Sequence, residues 1–126
     1  MKIHFYYTGV RVKDLDESVA FYTSVLGMKL IRRIPINATQ GEVAELASED
    51  GGSMLELNYY PEGTKFYTKY SAGEELDHLA FKVENLEDFV LKAKKQGYPV
   101  ELEVKSDSSK WAYIKDPNGI FIELVD

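Results

Sequence analysis

His78 stands inside "LDHLAFKV" (76–83), an apolar alternating run in which an imidazole needs a reason. Glu56 and Glu123 stand the same way inside "SMLELNYY" (53–60) and "IFIELV" (120–125). An ionised carboxylate on a buried sheet face is costly unless it is paired or bound to a cation. One imidazole and two carboxylates form a donor set for a divalent first-row metal, with a position left open for water or substrate. Such donors favour Zn, Ni, Co, Mn or Fe(II) over soft Cu(I). Each residue also has a plainer place. Glu56 on the outer face of its sheet would point to solvent. A strand histidine can be a hydrogen-bonded core or surface residue.

The elements that must position these residues recur. "IHFYYTGVRV" (3–12) alternates and is rich in aromatic and β-branched residues, which predicts a strand. A helix is expected over 14–27, with Leu15, Val19, Tyr22 and Leu26 on one face, Asp14 or Asp16 as cap and Gly27 as its end. Strands follow at 28–36, 41–48 and 53–60, the last two separated by a Gly51–Gly52 turn. The polar, aromatic stretch 61–75 predicts a loop or linker. The order then restarts. A strand at 76–83 precedes a helix at 85–97, with Asn85 as cap and Leu86, Phe89, Val90 and Ala93 inward. Three strands at 99–104, 110–115 and 120–125 complete it, the last two joined by the turn "DPNG".

The pattern is β-α-β-β-β twice, and its register can be checked. Asn85 follows Asp14 by 85 − 14 = 71, and His78 follows Tyr7 by 78 − 7 = 71. Later in each half, Gly119 follows Gly52 by 119 − 52 = 67 and Glu123 follows Glu56 by 123 − 56 = 67. A shorter loop in the second half accounts for the change of offset. The halves have the form of a duplicated unit. In a two-fold arrangement, matched positions converge around the axis, which would gather Tyr7, Glu56, His78 and Glu123.

The bulk properties narrow the field. A chain of 126 residues fits one domain, and burying roughly two-thirds of its unfolded surface gives it a core without staples. With no cysteine there is no disulfide, thiolate metal site or thiol nucleophile, which fits a reducing compartment. The start, "MKIHFYYTGVRV", lacks the apolar core of a signal peptide. No run approaches the roughly 18 apolar residues of a membrane span, so the expectation is a cytoplasmic protein with no membrane partner. Net charge is −6, and the densest basic run, "KAKKQG" (92–97), is most simply a solvated helix face. Nucleic acid, a polyanion, is not an expected partner.

"TGVRVKDLDESVAFYTSVLGMKLIRR", "LELNYYPEGTKFY", "LDHLAFKVENLED" and "DPNGIFIELVD" together resemble the vicinal oxygen chelate superfamily. The nearest likeness is to glyoxalase I, or lactoylglutathione lyase, and its small bacterial and archaeal relatives. The resemblance implies an α+β fold of two βαβββ modules with curved, open mixed sheets. It implies one domain over 1–126, with module 1 at about 1–60, a linker at 61–75 and module 2 at about 76–126. It also implies a homodimer, with the metal in a cleft between modules. The family's four ligand positions fall on Tyr7, Glu56, His78 and Glu123; the family usually has histidine, and in some members glutamine, where this chain has Tyr7. His4 is three residues away, which puts it on the opposite face of a regular strand. Arg11 matches an arginine that glyoxalase I uses to hold glutathione carboxylates, and it shares strand parity with Tyr7. Tyr60 replaces a family asparagine, for which Asn58 on the same face can compensate. The aromatic run Tyr59, Tyr60, Phe66, Tyr67 and Tyr70 suits a substrate pocket or a dimer interface.

By that resemblance, the expected function is conversion of the hemithioacetal of methylglyoxal and a thiol to a thioester through an enediolate. A divalent metal, Zn or Ni first and Co, Mn or Fe next, would act as Lewis acid. Glu123 is the first choice of base and Glu56 the second. Competing functions on the same fold are a methylmalonyl-CoA epimerase-like enzyme, an extradiol dioxygenase and a metal-free binding protein of the bleomycin-resistance type.

Overall fold

Successive residues of a strand face opposite ways, so an alternating run builds a sheet with one face for a helix and one left open. In the computed structural model, which describes residues 2, 5–72, 76, 78–106 and 110–126, this happens twice. The first sheet holds β1 (Thr8–Arg11), β2 (Lys29–Ile36), β3 (Gly41–Ala47) and β4 (Met54–Tyr59) in the order β1-β4-β3-β2. The second holds β5 (His78–Lys82), β6 (Leu102–Lys105), β7 (Lys110–Lys115) and β8 (Phe121–Val125) in the order β5-β8-β7-β6. In each, the first and last strands pair in parallel and the other pairs are antiparallel. Helices α1 (Leu15–Ala20) and α2 (Leu86–Lys95) follow the first strand of each sheet. The expected α+β fold of two βαβββ units with open, curved mixed sheets is therefore present.

The chain divides into two compact units, Met1–Tyr70 and Ser71–Asp126. In the first, Val10, Val12, Leu15, Phe21, Tyr22, Leu46, Leu55 and Leu57 form the core. In the second, Leu86, Ala93, Ala112, Ile114, Ile122 and Leu124 do so. The pairing register carries the duplication. Gly9 lies opposite Glu56 and Ala80 opposite Glu123, and these pairs are related by 80 − 9 = 71 and 123 − 56 = 67, the two offsets found in the sequence.

Local signals act as expected at several ends. Asp14, rather than Asp16, caps α1, its carboxylate accepting from Glu17 N–H at 3.0 Å. Asn85 caps α2 by accepting from Asp88 N–H at 3.1 Å. Gly27 sits at φ 72°, a left-handed conformation that a residue without Cβ adopts without strain. Before β8, the buried Asp116 carboxylate accepts from the N–H groups of Asn118 and Ile120, both at 2.8 Å, and fixes the "DPNG" turn.

Three expectations need correction. The first strand begins at Thr8, so Tyr7 precedes it, and residues 5–7 are exposed. The helix expected over 14–27 is α-helical only to Ala20 and continues as a π-helix over Phe21–Val25. Its buried stripe is Leu15, Ser18, Phe21, Tyr22 and Val25, with Val19 and Leu26 less covered, because the wider turn presents two consecutive rings to the sheet. The strand expected over 99–104 starts only at Leu102. His4, the alternative to Tyr7, lies outside the described residues.

Candidate functional site

The core face of each sheet is used by its helix, so chemistry is left to the open face. In the first unit, β4 turns Leu55 and Leu57 inward and leaves Glu56 and Asn58 on the open side. Pairing sets Gly9 against Glu56 and Arg11 against Asn58, while Glu45 of β3 lies directly opposite Glu56. Two like charges opposite one another repel. Arg32 answers this: its Nε and Nη2 donate to the two Glu45 carboxylate oxygens at 2.8 and 2.9 Å. That contact holds the Glu45 carboxyl below its ordinary pKa.

Tyr7 reaches the same cluster. Its phenol is pushed above the usual tyrosine value by the charge of Glu56 first, then by burial and by its hydrogen bond to Glu56. It therefore stays a neutral O–H group that donates to the carboxylate. Asn58 turns its amide back onto the Glu56 carbonyl at 3.4 Å.

Arg11 lies on this face but is engaged by the segment that follows β4. Its guanidinium donates to the Thr68 hydroxyl and stands 5.9 Å from the centre of the Tyr60 ring. Tyr60 packs on Phe66 at 5.9 Å and Tyr67 on Tyr70 at 6.1 Å between ring centres. The Tyr70 hydroxyl donates to the Val12 carbonyl at 2.5 Å. Burial pushes the Tyr70 phenol up to about 12, with nearby Arg11 partly opposing it. Much of the aromatic run thus packs within the first unit, and it comes with a partner for Arg11, Thr68, that no spacing rule singled out.

In the second unit, β8 turns Ile122 and Leu124 inward and leaves Glu123 on the open side. His78 opens β5, and its Nε2 lies 3.3 Å from Glu123 Oε2. The imidazole meets the Tyr113 ring edge to face at 5.7 Å. Beside this pair is a cavity of about 530 Å³ lined by His78, Glu101, Leu102, Tyr113 and Phe121. Nothing in the candidate set pointed to Leu102, Tyr113 or Phe121. The alternation of "KWAYIK", which puts Trp111 and Tyr113 on the face of Glu123, was the available signal.

The structure thus brings Tyr7 to Glu56 and His78 to Glu123, one pair in each unit. Among the described residues, no three His, Cys, Asp or Glu side chains gather as a metal-binding group. The chemistry of the pairs suits a divalent cation all the same. His78 and Glu123 approach each other as two ligands of one ion do, and both remain partly open to solvent. In the first unit Glu56 offers a carboxylate and Tyr7 a neutral phenol, a weak donor beside it.

Comparison with known proteins adds an independent line. The model of the Glyoxalase/Bleomycin resistance protein/Dioxygenase superfamily matches residues 4–124. A probable lactoylglutathione lyase of Vibrio parahaemolyticus is 33% identical over 124 residues, covering 94% of this chain and 87% of that protein. The lactoylglutathione lyase of Haemophilus influenzae is 34% identical over 124 residues, covering 95% and 90%. Among solved structures, the trypanothione-dependent glyoxalase I of Leishmania major matches with a TM-score of 0.77 at 30% identity, over 99% of this chain and 87% of that one. A glyoxalase family protein of Bacillus cereus matches with a TM-score of 0.80 at 21% identity, over 98% and 93%, a likeness of fold alone.

Proposed function

The chain belongs to the Glyoxalase/Bleomycin resistance protein/Dioxygenase superfamily, and from that premise we propose that it converts the hemithioacetal of a 2-oxoaldehyde such as methylglyoxal and a small thiol to a 2-hydroxy thioester. Its likeness to named lactoylglutathione lyases along nearly the whole chain marks it as an enzyme of the lyase kind. The observation that carries the reading is the His78–Glu123 pair, 3.3 Å apart on an open sheet face, with Glu123 at the register position that Glu56 holds in the first unit.

The reaction moves one proton between adjacent carbons and keeps the C–S bond. Glu123 takes the proton from the carbon that bears sulfur and hydroxyl, leaving an enediolate. The proton returns to the neighbouring carbon, and the hydroxyl proton of the first carbon passes to the oxygen of the second, so that the second carbon becomes the carbinol and the first the thioester carbonyl. Glu56 is the second carboxylate, held in orientation by the Tyr7 O–H. Arg11, Asn58 and Tyr60 would bind the thiol portion, once Arg11 exchanges its Thr68 contact for the ligand. Tyr7, Glu56, His78 and Glu123 are the proposed donors to a divalent cation, Zn or Ni first, with Co, Mn or Fe as alternatives. When bound, that ion supplies Lewis acidity that brings the C–H next to the carbonyl within reach of a carboxylate base.

We also propose that modules at about 1–60 and 76–126, joined by 61–75, act as one domain in a cytoplasmic homodimer. The test is metal quantification of untagged, chelator-free protein, followed by thioester formation from methylglyoxal with glutathione or another thiol. Glu123→Gln is expected to lower kcat by about a hundredfold or more with the fold intact by circular dichroism; full activity in that variant removes Glu123 from the role of base. A second reading, a metal-free binding protein of the bleomycin-resistance type, is favoured by the neutral Tyr7 phenol at one donor position. Protein that co-purifies with no transition metal and turns over no hemithioacetal supports it instead. Turnover of a methylmalonyl thioester points to an epimerase.

A further inference from the structure

A row of four paired residues, one from each strand, crosses the open face of each sheet. In the second unit it is Ala80, Glu123, Tyr113 and Leu102. In the first it is Gly9, Glu56, Glu45 and Arg32. The rows match at their carboxylates, Glu123 and Glu56, and differ beyond them. The second unit continues with a ring and a leucine, so the fold requires no charge at these places. The first continues with a second carboxylate and a guanidinium.

Arg32 takes its place through a bulge. The pairing of β2 with β3 slips by one residue between Leu30 and Arg32. An unbroken ladder from the Leu30–Leu46 pair would set Ile31 against Glu45. The extra residue sets Arg32 there instead, with Ile31 54% exposed. Neighbouring strands lie about 4.8 Å apart, so a glutamate on β3 can reach toward β4 or toward β2. Glu45 reaches toward β2, and its two oxygens accept from Arg32 at 2.8 and 2.9 Å. On its other side stand the proposed donors Glu56 and Tyr7, and its charge acts on the Tyr7 phenol. The Arg32 side chain is 58% exposed, and ion pairs so open to water add little to stability. Stability alone therefore does not account for the arrangement. What the two-point contact fixes is direction, because a planar guanidinium holds a carboxylate in one orientation.

We infer that Arg32 is a positioning residue that holds Glu45 back from the cation proposed to bind at Glu56 and Tyr7, so that the place Glu45 would take on the ion stays open to substrate. This rests on the donor assignment above. Oxygen donors suit a divalent ion such as Mn, and a second glutamate beside Glu56 would add one. A catalytic metal site needs the opposite, a position that no protein group fills. The second unit requires no such restraint, since an aromatic ring stands beside Glu123 where Glu45 stands beside Glu56.

The experiment loads untagged protein with Mn(II) and counts metal-bound water from the relaxation of solvent protons, in wild type, in Arg32→Gln and in the double variant Arg32→Gln/Glu45→Gln. Arg32→Gln is expected to lose the contribution of one bound water, displaced by the freed Glu45, and the double variant to regain it. Thioester formation, read as kcat/KM, is expected to fall by about ten- to a hundredfold in Arg32→Gln and to recover in the double variant. Loss of the Arg32 charge by itself changes affinity but not the water count. An unchanged count in Arg32→Gln, or a loss that persists in the double variant, overturns the inference. Glu56→Gln tests the donor assignment separately. If it weakens Mn(II) binding while Arg32→Gln leaves the water count alone, the assignment stands and only the inference falls. If it leaves Mn(II) affinity unchanged, or if the wild-type protein takes up no Mn(II), the assignment fails and this role of Arg32 fails with it.

Discussion

Tyr7 shows how little a residue type says without its neighbour. In the sequence it was a phenol at a position where the family has imidazole. In the structure it is an O–H donor to Glu56, kept protonated by that carboxylate's charge. Neutral imidazole is the stronger ligand for first-row metals, so Tyr7→His is expected to slow metal loss to a chelator, followed as metal retained per chain against time. Identical loss curves would mean that position 7 is not a donor. Tyr70 makes a different case, because its hydroxyl serves stability and donates to a backbone carbonyl. Its folded value of about 12 lies above the ordinary 10.0. The unfolded chain therefore ionises first as pH rises, and the contribution is fully present below pH 10 and lost between about 10 and 12. Urea melts of wild type and Tyr70→Phe from pH 8 to 11.5 are expected to differ most at pH 8 and to converge above 10. A gap of constant size would refute the assignment.

Among the elements, boundaries were legible wherever a side chain or a glycine enforces them locally. Asp14, Asn85 and Gly27 are cases of short-range chemistry. The start of β1, the π-helical turn and the late start of β6 were not legible. Each depends on what a neighbouring strand or sheet offers, and alternation continues past the point where pairing stops. The Asp116 turn is the element that aims β8, and so Glu123. Asp116 is 4% exposed, and its carboxylate accepts from two backbone N–H groups. Asp116→Ala leaves those donors short of an acceptor in a buried place, an expected cost of about 2 kcal/mol or more, measured by chemical denaturation. A loss within experimental error would show that the backbone turn holds without its side chain.

For the whole molecule, the proposed cation links stability to function. A ligand that binds only the folded chain stabilises it by RT ln(1 + [L]/Kd), about 2.7 kcal/mol at a hundredfold excess over Kd. Chelation is thus expected to lower the thermal midpoint and abolish turnover together, and one divalent metal is expected to restore both. Activity that survives complete metal removal would contradict the donor assignment. No helix among the described residues is long and apolar enough to cross a membrane.

The sequence by itself determined the repeated βαβββ order and the equivalent places that Glu56 and Glu123 hold within it. Periodicity and offset are local or internal to the chain, so they survive without coordinates. Only the tertiary structure decided who stands beside whom. Glu56 has Tyr7 and the Glu45–Arg32 pair for neighbours, whereas Glu123 has His78 and an aromatic cavity. A period of two tells which face a side chain takes, but not which strand lies alongside or in what register. That choice is made between residues far apart in the chain, where the packing of the whole sheet outweighs any local preference.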